Sequence, residues 1–208
     1  MLLETAIATF LLLCLVLFTM VNLHNILIVH KRRSKARVYA EVEHPSGIIV
    51  TLAALGTFVY FLEVVIYMVL AFANSFSVLY ASIHYIQLPF TLHAQISGLI
   101  LTFIGYSLSI WSVIARGKYA TSWAMSENQK LVTWGPYRYV RNPSYLGYFL
   151  MFFGFFFLWS SLFALLPLIA IPGYYHVALE EEKLLRQRFG DEYAEYQKKT
   201  GLFIPKSR

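Results

Sequence analysis

Hydrophobic residues in this chain fall in long blocks separated by short polar segments, and block length carries the first expectation. Thr5 to Val29 has no charged residue across 25 positions. As a helix it reaches about 37 Å, enough to cross a hydrocarbon core of roughly 30 Å with some tilt. Gly47 to Ala73 and Gln95 to Ala115 are two further blocks of crossing length. The only charge before the first block is Glu4, with no basic segment ahead of it, so the block reads as a retained membrane helix and not a signal peptide.

The fourth block is built differently. Asn142 to Leu179 carries no formal charge apart from the titratable His176, yet it is interrupted at Trp159-Ser160-Ser161, at Pro167 and at Pro172-Gly173. One helix of that length would overshoot the bilayer, whereas a helical hairpin turning at Trp-Ser-Ser returns the chain to its side of origin. The expected architecture is all-α and integral to the membrane, a single domain over 1–208. It has five transmembrane helices, three of them within 1–115, with helices four and five paired as a hairpin. The first arm of that hairpin, Tyr145 to Leu158, rises only about 21 Å.

Composition agrees with a membrane protein: 58% of residues are hydrophobic, 13% are charged, and the mean hydropathy is +0.58. Charge then orients it. Of the 17 Lys and Arg, five lie in Lys31 to Arg37, five between Arg116 and Arg141, and seven between Lys183 and Arg208. Five helices bring these three segments to one face and leave the opposite face without Lys or Arg. The positive-inside rule then places the N-terminus outside and the C-terminus in the cytoplasm, at the cell membrane in a prokaryote. The net charge of +6 is accounted for by this topology and by attraction to anionic membrane lipids, so no nucleic-acid partner is expected. The single Cys14 excludes an intrachain disulfide.

On the basic face, Leu184, Leu185, Phe189, Tyr193 and Tyr196 recur at spacings of three and four, with charged residues between them. That is a C-terminal cytoplasmic amphipathic helix. The loop before the fourth block gathers Arg138, Arg141, Asn142 and Ser144 among Trp134, Tyr137, Tyr139 and Tyr145, a composition suited either to a basic aromatic belt or to holding a charged ligand at the membrane edge. Glu63 sits in the middle of the second block, where an ionisable group is costly and reads as a protonated or hydrogen-bonded structural carboxyl. Asn22, His24 and Asn25 read as interhelical hydrogen-bonding groups. The six histidines are scattered without metal-ligand spacing, and no G-x-G occurs, so neither a metal centre nor a glycine-rich nucleotide fold is expected.

Leu131 to Phe149, LVTWGPYRYVRNPSYLGYF, followed by Glu181 to Tyr196, EEKLLRQRFGDEYAEY, resembles the C-terminal signature of isoprenylcysteine carboxyl methyltransferases and their prokaryotic relatives. The resemblance covers roughly the last 80 residues and implies that 116–208 is a cofactor-binding catalytic half. It implies S-adenosylmethionine as cofactor, with S-adenosylhomocysteine as product. The implied cofactor site comprises Gln129, Leu131, Val132, Tyr137, Asn142, Pro143, Ser144, Tyr145, Glu181 and Glu182. Arg141, Arg138 and Glu182 are the implied catalytic groups. The chain departs from the pattern at Asn142, where the family usually has His, and in lacking the arginine often found shortly before the Glu pair.

The implied activity is O-methylation of the C-terminal carboxylate of a prenylated cysteine, a lipid-like partner entering from the bilayer. A carboxylate is ionised at neutral pH and needs no general base, so positioning and exclusion of water are the tasks of such a site. The nearest alternative is a phospholipid N-methyltransferase, whose amine nucleophile must first lose a proton. More distant alternatives are a nicotinamide-dependent sterol-reductase-like protein and a non-enzymatic membrane transporter or scaffold.

Overall fold

The computed structural model describes residues 2–33, 38–41, 47–80, 85–88, 90–119, 124–126 and 130–206. These form α1 (Glu4–Arg33), α2 (Ile48–Phe72), a short α3 (Phe76–Tyr80), α4 (Thr91–Arg116), α5 (Pro143–Trp159) and α6 (Ala170–Lys199). A 3-10 segment, Gly135–Arg138, precedes α5, and another, Phe163–Ile169, precedes α6. Two short strands, β1 (Val38–Glu41) and β2 (Ala124–Ser126), pair antiparallel. The sequence carried no signal for that ribbon.

Among the described residues four helical stretches are long and apolar enough to cross a membrane: Glu4–Leu27, Ile48–Phe72, Thr91–Arg116 and Phe163–Lys199. α5, the remaining one of the five expected helices, is a shorter apolar helix. α5 has 17 residues, about 25 Å of rise, which falls short of a hydrocarbon core of roughly 30 Å. A second difference concerns the tail. The amphipathic segment begins as the continuation of α6 and passes a non-helical break at Gly190 (φ 50°, ψ −120°), where two helical stretches meet across a kink. A side chain there would be strained in this backbone region, although no neighbour would obstruct it.

Ring pairs and close contacts fix the helix directions. Tyr60 meets Phe152 and Tyr67 meets Trp159, so α2 and α5 run parallel. Gly56 lies against Ala170 and Gly173 against Ile49 and Ala53, so α6 runs antiparallel to α2 and hence to α5. α4 and α5 are antiparallel and in backbone contact: a Cβ on Gly105 would fall 2.7 Å from the Gly147 carbonyl oxygen, and one on Gly154 would fall 2.7 Å from the Thr102 nitrogen. Small residues here allow the two backbones to approach as they do in tightly packed membrane helices. The α5–α6 turn is made at Ser160 in the left-handed region, with the Ile86 N–H donating to the Ser160 carbonyl.

The core between these helices is aromatic, with Tyr60, Tyr67, Tyr106, Phe152 and Phe155 almost completely buried. Long apolar side chains such as Leu13, Leu17, Met20 and Leu27 point outward from α1, as lipid-facing positions would. Glu63 is buried in this interior, and its Oε2 has no hydrogen-bond partner among the described residues. The helix directions bring the C-terminal ends of α1 and α4, the N-terminal end of α5 and the charged half of α6 to one end of the bundle. Arg116, Lys130, Arg138 and Arg141 gather there.

Candidate active site

Three elements meet at the basic end: the end of α4, the loop 130–142 that runs into α5, and the polar half of α6 with the strap that follows it. The loop is pinned to α4 first. The Trp134 Nε1–H donates to the Ala115 carbonyl at 2.9 Å, and Gly135 (φ 62°) turns the chain against the Ala115 methyl group. Pro143 then opens α5 at a position where the missing N–H is no loss.

The tail closes from the other side. After α6 the backbone of 200–202 lies alongside 140–142, with Arg141 N–H donating to the Gly201 carbonyl at 2.9 Å and Asn142 N–H to the Leu202 carbonyl at 3.1 Å. The Tyr196 hydroxyl donates to the Tyr137 carbonyl at 2.6 Å, and the Phe203 ring packs on Phe149. The Arg141 Nε donates to Glu182 Oε1, while its Nη1 donates to the Thr200 carbonyl. Both charged side chains are nearly buried, at 11% and 13% exposure. Gln197 Nε2 donates to the other Glu182 oxygen at 3.0 Å. Glu182 thus has its acceptor capacity directed at the protein itself.

A cavity of about 70 Å³ lies between these walls. Leu131, Val132, Tyr137, Arg141, Asn142, Pro143, Ser144, Tyr145, Glu181 and Glu182 all line it, so the structure draws together the greater part of the site implied by resemblance. Gln129 lies outside the described residues. Arg138 is on the far side of the 3-10 segment, in a neighbouring open groove of about 940 Å³ with Tyr139, Glu192 and Lys199. Ser144 is engaged with α4: its hydroxyl sits 2.5 Å from that of Ser112, which makes it a packing contact as much as a cavity wall.

Two adjacent glutamates diverge because successive helical residues point about 100° apart. Glu182 faces Arg141, whereas Glu181 faces inward, accepting the Tyr145 hydroxyl at 3.0 Å and lying within electrostatic reach of Arg116. Tyr145 packs in turn on Tyr174, the rings tilted by 31° with 4.8 Å between their centres. The Asn142 Nδ2 is buried and has no hydrogen-bond partner among the described residues, and the same is true of Arg116 Nε. Buried donors without partners are uncommon in folded proteins, and two beside one cavity mark a place where a ligand's acceptors would be received.

Arg116, Lys130, Leu185, Tyr193 and Tyr196 also line the cavity and were not singled out from sequence as site residues. Arg116 was counted only among the basic residues of the membrane edge. Tyr193 and Tyr196 were visible as one apolar stripe, but the stripe does not say what it faces.

A family model for phospholipid methyltransferases matches residues 93–192. The match runs from the first turn of α4 to just beyond the kink at Gly190 and takes in every residue lining the cavity except Tyr193 and Tyr196. No curated protein sequence matches the chain. Four apolar helices together with this family match support a multi-pass membrane protein. The match bears the phospholipid name, the nearest alternative to the carboxyl methyltransferases resembled by the sequence.

Proposed function

We propose that the chain is a membrane-embedded, S-adenosylmethionine-dependent methyltransferase whose acceptor is the head group of a lipid, with a phospholipid amine as the favoured nucleophile. The observation that carries this is the inward-facing pair Tyr145–Glu181 beside the orphaned Asn142 amide, in the segment matched to phospholipid methyltransferases. The residues present fit the cofactor in kind. Asn142 offers an unpaired donor, Leu131 and Val132 an apolar floor, and Tyr137 and Tyr145 aromatic faces of the sort that receive a cation. When bound, S-adenosylmethionine supplies an electrophilic methyl group on a positively charged sulfur.

The remaining work falls to side chains of the protein. An ammonium head group has no lone pair, so a proton must leave it before nitrogen can form a bond to carbon. Glu181 is placed to take that proton, with the Tyr145 hydroxyl orienting its carboxylate. Arg141 and Glu182 hold the tail over the cavity and keep water out. Small-molecule pockets run to about 300–1,000 Å³, whereas this cavity holds about 70 Å³. Loading therefore requires the segment beyond Gly190 to swing outward, with Gly190 as the bend and the Arg141–Thr200 and Gln197–Glu182 contacts as the catch.

In this reading the N-terminus is outside and the basic end of the bundle cytoplasmic, and α5 and the start of α6 form a hairpin that turns within the membrane at Ser160. Carboxyl methylation of a prenylated cysteine is the second reading, favoured by the Leu131 to Phe149 signature. Transfer of labelled methyl to phosphatidylethanolamine and to a small prenylcysteine, measured side by side in detergent across pH, separates the two. Amine methylation rises steeply as pH approaches the amine's pKa, and carboxylate methylation stays flat. Label in neither acceptor, with no S-adenosylhomocysteine binding by calorimetry, would remove the enzyme reading and return the chain to the transporter or scaffold class.

A further inference from the structure

Three arginines surround the proposed site, and the structure gives them unequal surroundings. Arg141 is occupied by Glu182 and by the Thr200 and Gln197 carbonyls. Arg138 stands in the outer groove. Arg116, the last residue of α4, lines the inner cavity; its Nε is sealed from solvent and has no hydrogen-bond partner, and it forms no ion pair, among the described residues. The carboxylate within its electrostatic reach is Glu181, one oxygen of which already accepts from Tyr145. A guanidinium carries five donors in a planar fork; Arg116 as a whole is half-buried, and its sealed Nε without an acceptor is costly unless something anionic arrives.

We infer that Arg116 is the anion anchor for the methyl acceptor, binding the phosphate or carboxylate of a lipid head group inside the cavity; this rests on the function proposed above. Position supports the assignment. Arg116 closes the apolar run of α4 and lies within electrostatic range of Tyr145 and Tyr148 in the first turns of α5, so it stands on the side of the cavity nearest the bilayer. Arg141, Glu182, Tyr193 and Tyr196 occupy the side covered by the tail. An acceptor whose chains remain in the membrane therefore presents its head group to Arg116 first. The fork geometry suits two oxygens of one phosphate or carboxylate, which a lysine would meet only as a point charge.

The neighbouring Glu181 makes the site bipolar. A zwitterionic head group would place its phosphate on Arg116 and its ammonium against Glu181, which fixes the nitrogen beside the group that takes its proton. An acceptor with a carboxylate alone would use Arg116 and leave Glu181 idle. Arg116 is thus a positioning residue that selects an acceptor carrying an anion, and the anion is the same chemistry in both cases.

The test uses the full chain in maltoside micelles and isothermal titration. The probes are short-chain phosphatidic acid against the matching neutral diacylglycerol, and dodecanoate against dodecanol. The wild type should prefer each anionic probe by about tenfold or more, the worth of a charged hydrogen bond. Arg116→Gln should erase both preferences while S-adenosylhomocysteine affinity stays within about twofold. Arg116→Lys should keep part of the preference, which shows that the fold survives. The phosphate and carboxylate arms show which head group gains more from the guanidinium. An unchanged preference in Arg116→Gln overturns the inference. So does a loss of S-adenosylhomocysteine affinity that is absent for its decarboxylated analogue, which would assign Arg116 to the cofactor's own carboxylate. If the wild type binds no S-adenosylhomocysteine but loses its anion preference in Arg116→Gln, the methyl-transfer reading fails and the anchor stands.

Discussion

The two sides of the cavity are held by opposite kinds of contact. On the α4–α5 side, backbone lies on backbone, and glycines stand where a Cβ would collide with a neighbouring carbonyl or nitrogen. On the tail side, the closure consists of one nearly buried ion pair, a few hydrogen bonds to carbonyls and a kinked helix. The first side has no second arrangement open to it, because close-packed backbones do not slide without losing all their contacts. The second can detach as a unit and re-form. The difference teaches which wall a ligand moves and which wall it is measured against.

The comparison breaks most visibly at Gly154. Gly154→Leu places four carbons where Thr102 and Gly98 already stand, and the cost should be about 3 kcal/mol or more, seen as loss of monodisperse protein in detergent. Next comes the catch. Arg141→Met removes the donor to the Gln197 and Thr200 carbonyls of the tail and leaves Glu182 nearly buried with only Gln197, a local loss of about 3 kcal/mol that should release 191–206 to proteases and amide exchange while the bundle's melting temperature moves little. A bundle that melts with the tail would mean that the two sides are one cooperative unit.

Smaller still is Gly190→Ala. A methyl group in that backbone region costs about 1 kcal/mol, and it should raise tail exchange rates modestly without altering α4 or α5. Lys198→Ala, at an exposed i,i+3 pair with Glu195, should change neither exchange nor melting, since such pairs are screened by solvent. A measurable effect there would show that the tail is held by its surface charges and not by Arg141.

Much of the bundle was legible because uninterrupted apolar length is a strong signal. Gly47 to Ala73 was expected and Ile48–Phe72 is found; Gln95 to Ala115 was expected and Thr91–Arg116 is found. The depth of α5 was not legible, because Trp159-Ser160-Ser161 marks a turn but says nothing about how far the helix reaches. The loop side of the site was legible through residues whose types are unusual in an apolar chain, from Leu131 to Tyr145. Arg116 was hidden by its surroundings, since an arginine closing an apolar run is what any membrane helix shows. Gly190 was hidden for the opposite reason: the apolar stripe continues through it from Phe189 to Tyr193, and periodicity cannot register a change of direction. The strap 200–204 pairs through its backbone, which leaves no mark on side-chain pattern.

The continuity of α6 has a mechanical consequence. The rod that packs Gly173 against α2 among the apolar helices is the same rod that presents Glu181 to Tyr145 and Glu182 to Arg141. Between Gly173 and Glu182 there is no hinge, since the bend comes later, at Gly190. Any tilt of that rod imposed by the thickness or lateral pressure of the surrounding bilayer is delivered undiminished to the carboxylates, and the membrane becomes a component of the site's alignment as well as its solvent.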